Sequence, residues 1–324
     1  MEEELRRTLR LASDALSRWN LPPGASLRLI NVSENITYLV EAPNWRSILR
    51  VHRHNYNSTN AIKSELEWST ALRQTGGVET PAVINGVDNQ PIQTVGYGGE
   101  ARRMVMFAFI EGAQPNEDDD LIAPFTELGA IAAKTHLHSI AWPRPQGFER
   151  LTWDLNTVFG PKANWGDWRQ APNVGPTERE VLEQVETTVV ARLTAYGQSP
   201  DRYGLIHADM RLANLILTDT ETRLIDFDDC GFGWHMYDFA AAISFMEGHP
   251  QIPALKTAWL TGYQTIRPLS HADKTAIEDL IMLRRLALLA WIGTHIEAPE
   301  PQALAPDFAR VSAELGVAYL GQMN

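Results

Sequence analysis

Along the opening MEEELRRTLRLASDALSRWN, the apolar residues Leu5, Leu9, Ala12, Leu16 and Trp19 recur at helical spacing between charged positions. That spacing predicts an amphipathic helix docked on a core, and its charged flank is unlike a leader peptide. The period then changes. ITYLVEA (36–42) and SILRVHR (47–53) are β-rich and flank Pro43-Asn44-Trp45, so they read as two strands of a hairpin. AIKSELEWSTALRQTGG returns to helical spacing, with Ile62, Leu66, Ser69 and Leu72 on one face and Gly76-Gly77 as its stop. PAVI (81–84), PIQTV (91–95) and ARRMVMFAFI (101–110) supply further strands.

Past Glu111-Gly112 the pattern turns helical. The acidic NEDDD (116–120) leads into PFTELGAIAAKTHLHSI, where acids suit the positive end of a helix dipole. From Pro143 to about Pro200, prolines and the tryptophans Trp153, Trp165 and Trp168 interrupt the pattern until a long helix begins near Thr177. Residues from about 235 to 322 read almost entirely as helix, and no internal repeat is visible. The expected fold class is α+β in two lobes. Residues 1–110 form a small β-rich N-terminal lobe, and residues 111–324 a larger, mostly helical C-terminal lobe.

Composition narrows the partners. A chain of 324 residues that is 44% hydrophobic can fill two cores. A formal charge of −12 argues against nucleic acid, whose phosphates demand a basic face. MVMFAFI and LALLAWI are too short to cross a bilayer, so no membrane association is expected. Cys230 is the single cysteine, which excludes an internal disulfide and a CxxC metal clip and fits a reducing, cytoplasmic setting. It reads as a small filler. His52/His54 and His136/His138 lack carboxylate company, and core or surface roles suit them better than metal ligation. A monomer or homodimer is expected.

Chemistry concentrates in HADMRLANLILTDTETRLIDFDD, residues 207–229. Phosphoryl transfer from ATP needs a carboxylate beside the acceptor hydroxyl and Mg²⁺ ligands beside the phosphates, on a rigid turn. Asp209 and Asn214 stand five apart, as in an H-R-D-x-x-x-x-N loop, with His207 in the His position. An Asn at that offset can reach back to Asp209 and offer its carbonyl oxygen to Mg²⁺. The apolar LIL, a hairpin around TDTET and RLIDFDD then deliver Asp226 in the place of the D-F-G aspartate. One Asp plus one Asn suits Mg²⁺, which favours few carboxylates and several waters.

From about Asn31 to Phe245 the chain resembles the aminoglycoside phosphotransferase and choline kinase superfamily, whose fold is that of the protein kinases. The resemblance implies ATP-dependent transfer of a γ-phosphate to a hydroxyl, with Asp209 orienting and deprotonating the acceptor. It implies Asn214 and Asp226 as the Mg²⁺ ligands, and Arg211 facing the transferred phosphoryl group. Arg50 of ILRVHR falls where the family has a strand lysine, and Glu65 of SELEW where it has the pairing glutamate. Arginine is a departure there, since its planar fork must meet phosphate differently. No G-x-G-x-x-G loop is present; VSENITY sits at the phosphate-covering hairpin, which makes Ser33 the candidate cover. MVMFAFIEG resembles the hinge, with Phe107 as gatekeeper and the Ala108 carbonyl and Ile110 N–H bonding adenine. In GWHMYDFA, Asp238 would brace the catalytic loop.

The acceptor is expected to be a small hydroxylated molecule: an antibiotic, amino alcohol, sugar or homoserine-like metabolite. Candidate contacts are Asp228, Trp153, Trp168 and Arg284, beside Arg285; aromatic faces there could cage a cation. Two other readings stand. One is a protein Ser/Thr kinase on this fold, although no activation loop or APE segment is evident between Asp226 and Tyr237. The other is a pseudokinase that binds partners, favoured by Arg50 and opposed by Asp209, Asn214 and Asp226.

Overall fold

The computed structural model describes residues 2–32, 35–54, 56–97, 100–219 and 221–322; Ser33 falls outside them. The chain forms two compact units. The first takes in the chain up to Thr75, Glu79–Glu111 and Arg144–Glu149; the second takes in Gly76–Val78, Gly112–Pro143 and Arg150 onward.

In the first unit, β1 (Ser26–Val32), β2 (Asn35–Ala42), β3 (Trp45–His52), β6 (Glu100–Ala108) and β4 (Val83–Ile84) lie side by side, and β5 (Ile92–Tyr97) also pairs with β6. The β2–β3 turn is the expected one: Ala42 pairs with Trp45, and Asn44 takes a φ of +58°. β1 is hard to see in the sequence because its register slips between Leu29 and Asn31, and Leu29 and Ile30 are both exposed.

Alternation gives this sheet two apolar faces. Tyr38, Val40, Leu49, Val51, Met104 and Met106 pack under α1 (Glu2–Ala15), while Val105 and Phe107 meet Ile62 and Leu66 of α2 (Thr59–Ala71). The buried stripe of α1 runs through Thr8, Leu11, Ala12 and Ala15 and on to Trp19, and Leu9 lies outside it at 40% exposure. α2 ends in a single π-turn, Leu72–Gly76, before Gly77 at φ +64°.

The second unit is mostly helical: α3 (Ile122–Ala141), α4 (Leu155–Phe159), α5 (Pro176–Tyr196), α6 (Tyr237–Ala242), α7 (Ile252–Gln264), α8 (His271–Thr294) and α9 (Pro299–Gln322). α3 and α7 cross so closely that a Cβ at Gly129 or Gly262 would meet a backbone oxygen at 2.0 or 1.7 Å. Among these helices, β11 (Gly231–Trp234) pairs with β7 (Leu151–Trp153) and β8 (Tyr203–Ile206), and β9 (Leu215–Leu217) with β10 (Thr222–Leu224). β7, β8 and β11 have three or four residues each, too few for a period to show. Among the described residues, no helix is long and apolar enough to cross a membrane.

Candidate active site

In the first unit, alternation along β3 sets the surroundings of Arg50. Leu49 and Val51 pack toward α1, so Arg50 between them faces α2. There its Nη2 donates to Glu65 Oε1 at 2.5 Å. Side-chain exposures of 6% and 2% make this an enclosed ion pair. Such charge-assisted bonds are strong, and the loss of one partner is costly. The guanidinium also lies 5.1 Å from the Phe107 ring centroid. Ala108 gives its N–H to the Ala82 carbonyl at 2.8 Å, and Ile110 is half-buried just past the strand.

In the second unit, β8 leads into the loop His207–Arg211. Ala208 holds a φ of +67°, uncommon for a residue with a Cβ. Strain of that kind persists where the surroundings over-determine it. Asp238, at the start of α6, supplies the constraint: Oδ1 accepts the Ala208 N–H at 2.7 Å and Oδ2 the His207 N–H at 3.2 Å. Behind it, His136 Nε2 lies 2.9 Å from Asp238 Oδ2, and His136 Nδ1 lies 2.9 Å from the Tyr263 hydroxyl. That hydroxyl accepts from Arg267 at 2.8 Å. Because the Asp238 carboxylate can only accept, neutral His136 carries its proton on Nε2, and its Nδ1 accepts from the Tyr263 hydroxyl. Burial, followed by Arg267, holds the His136 pKa well below the usual imidazole value. Burial pushes Asp238 up to about 6.

His207 is fixed in the same manner. Its Nδ1 accepts the Asp209 N–H at 3.2 Å, its Nε2 donates to the Ile225 carbonyl at 3.1 Å, and its ring packs on Phe227. Asp209 is then gripped by two donors. Asn214 Nδ2 reaches its backbone carbonyl at 2.8 Å and its Oδ2 at 2.7 Å, and Arg284 Nη2 reaches its Oδ1 at 2.6 Å. Both amide hydrogens of Asn214 are thereby spent on Asp209, leaving its Oδ1 as the atom able to turn to a cation. The Ile225 N–H bonds the Asn214 carbonyl at 2.9 Å, tying the Asp226 turn to this loop. Asp226 is exposed and holds a φ of +60°. One carboxylate and one amide oxygen, held on two tied turns, are hard donors that fit Mg²⁺.

A phosphotransferase enzyme family model matches residues 26–269. The chain belongs to that family. This phosphotransferase is 42% identical to a microcompartment-associated aminopropanol kinase of known structure, covering 97% of this chain and 98% of that one at a TM-score of 0.90. It is 22% identical to amicoumacin kinase of Bacillus subtilis over 273 residues, covering 81% of this chain and 78% of that protein. A structure of amicoumacin kinase in complex with AMP-PNP and Ca²⁺ shares the fold at a TM-score of 0.76 and 20% identity, covering 97% of this chain and 96% of that one. The chain is an ATP-dependent phosphotransferase acting on a small-molecule hydroxyl.

Each candidate acceptor contact of this phosphotransferase has a defined packing environment. Trp153 and Trp168 are buried at 1% and 2% exposure, and their indole N–H groups go to the Asp229 carbonyl and to Glu186. Their size serves packing. Arg284 is equally buried and points at Asp209. Asp228 is buried, and its carbonyl accepts from Arg150. Arg211 lies 3.6 Å from Asp209 Oδ2 and forks onto Glu300, at 2.5 and 3.3 Å. Residues that the pattern does not single out complete the site: Ser244, Tyr263, Arg267 and Glu300. Only His136 carried a signal, in the doubled histidine of THLHS, and it is a brace and not a ligand.

Proposed function

We propose that the acceptor is a small amino alcohol of the aminopropanol class and that the nucleotide is ATP bound with Mg²⁺. The near full-length likeness to an aminopropanol kinase carries this reading. A cationic acceptor also suits a segment bearing Asp209, Asp226, Asp228 and Asp229, within a chain of net charge −12.

In this reading Asp209 accepts the proton of the acceptor hydroxyl as its oxygen attacks the γ-phosphorus and the bond to the β–γ bridging oxygen breaks, releasing ADP, a step in which a positioned base contributes about 10²–10⁴-fold. Asn214 Oδ1 and the Asp226 carboxylate hold Mg²⁺, which when bound neutralises charge on the β- and γ-phosphate oxygens. Arg211, steadied by Glu300, supplies positive charge beside the transferred group. Arg50, Phe107, Ala108 and Ile110 serve the nucleotide, with Glu65 holding Arg50 in place.

The test is a ³¹P NMR assay of the purified chain with ATP, Mg²⁺ and a panel of 1-amino-2-propanol, 3-amino-1-propanol, homoserine, choline and an aminoglycoside. A phosphomonoester of an amino alcohol is the expected product. Turnover confined to the antibiotic or to protein serines would overturn the acceptor class, and no turnover with any acceptor would favour a partner-binding role.

A further inference from the structure

The second half of α8 is enclosed on all sides: every residue from Met282 to Ile292 is buried. A full positive charge in such a helix requires compensation. Arg284 is 2% exposed, and its partners are specific: Nη2 to Asp209 Oδ1 at 2.6 Å and Nε to Ser244 Oγ at 3.1 Å. The guanidinium lies over the Trp165 ring at 5.3 Å and the Tyr237 ring at 5.8 Å. Burial opposes its charge, but Tyr237, Asp209 and Asp229 outweigh that effect and raise its pKa, so it stays protonated.

Asp209 therefore meets two rigid donors from different parts of the chain. Asn214 holds Oδ2 from the same loop, and Arg284 holds Oδ1 from a helix 75 residues away. A carboxylate with one donor can still rotate about its Cβ–Cγ bond; one held at both oxygens has its plane set. Each oxygen keeps a further lone pair for an incoming proton.

We propose that Arg284 is a positioning residue for the general base: it sets the plane of the Asp209 carboxylate, and it does not bind the acceptor. This rests on Asp209 being the base. Ser244 adds to the placement, since it stops the guanidinium from turning and precedes Phe245, which is held at φ +73°.

A double-mutant cycle on the full chain separates the possibilities, with kcat and both KM values read for Arg284→Ala, Asp209→Asn and the double variant. Misplacing a base by about 1 Å costs on the order of 10²-fold, so Arg284→Ala should lower kcat by roughly 10–100-fold and leave both KM values within about threefold. Added guanidinium ion should restore part of that rate, and Arg284→Lys should retain more of it than Arg284→Ala. In the Asp209→Asn background, Arg284→Ala should cost less than about twofold more, because no base remains to be positioned. A rise in acceptor KM in both backgrounds, or losses that multiply, would overturn the proposal. Asp209→Asn turning over at the native rate would instead overturn the base assignment. ATP titration calorimetry shows that each variant is folded; should Arg284→Ala fail it, Arg284→Lys and Arg284→Gln enter the same cycle and are held to the same non-additivity.

Discussion

The Arg50–Glu65 pair of the first unit and the Arg284–Asp209 pair of the second are finished differently. In Arg50–Glu65 both side chains are enclosed, at 6% and 2% exposure. In Arg284–Asp209 the arginine is as deeply buried, at 2%, but the carboxylate keeps 16%. The same chemistry thus serves two ends. Where both partners are enclosed, the carboxylate fixes the arginine. Where the carboxylate stays open, the arginine fixes a carboxylate that solvent still reaches.

The larger expected effect comes from breaking the enclosed pair. Arg50→Ala removes the cation that faces the enclosed Glu65 carboxylate, a change that costs about 3–5 kcal/mol of stability. Bonds to charged groups are worth about 1.5–3 kcal/mol, so the ATP requirement should also rise by roughly 10–100-fold, with a lesser loss at saturation. Chemical melts and ATP titrations check both, and an unchanged ATP dependence would remove Arg50 from the phosphates.

A smaller effect, in pH dependence, belongs to the second unit. Burial first, then His136 and Arg267, holds the His235 pKa well below 6.5, and burial does the same for His136. Depressed imidazole values stabilise the fold above the unfolded value, and that stability is lost as pH falls below it. Asp238, raised to about 6, works in the opposite direction: its contribution is present at low pH and lost as pH rises through about 6. Each histidine should cost on the order of 1 kcal/mol on going from about pH 7.5 to pH 5.5, and Asp238 should return somewhat less. His235→Gln should flatten that acid loss by about one histidine's share. Urea melts of the native chain and the variant at both pH values give the comparison, and parallel curves would contradict it.

The enclosed pair was legible because each half sits in a local pattern: Arg50 in a β-rich run, Glu65 on a helix face. The loop around Asp209, Asn214 and Asp226 was legible for the same reason, since its spacing is short and its residues cannot cover one another in a core. The brace by Asp238 likewise matches the expectation drawn from GWHMYDFA. The partners on α8 and α9 were not legible. Arg284 lies within LIMLRRLALLAWI, where an apolar helix signals packing and gives no hint of which loop a buried charge will meet. Glu300 reaches Arg211 across 89 positions, and Arg267 reaches the catalytic loop only through Tyr263 and His136. Trp153 and Trp168 are buried, and a tryptophan cluster looks alike in sequence whether it lines a pocket or fills a core. β1 escaped because its bulge breaks the alternation that announces a strand.

The central claim is a division of labour between two aspartates in one loop system: Asp209 meets the acceptor's proton, and Asp226 carries the charge that anchors the metal. Calorimetric titration of ATP with and without Mg²⁺, alongside turnover, on Asp209→Asn and Asp226→Asn tests it most directly. Asp209→Asn should bind Mg²⁺-ATP as the native chain does while turnover falls by about 10²–10⁴-fold. Asp226→Asn should lose the Mg²⁺-dependent part of nucleotide binding together with turnover. Identical binding defects in the two variants, or native turnover in Asp209→Asn, would contradict it.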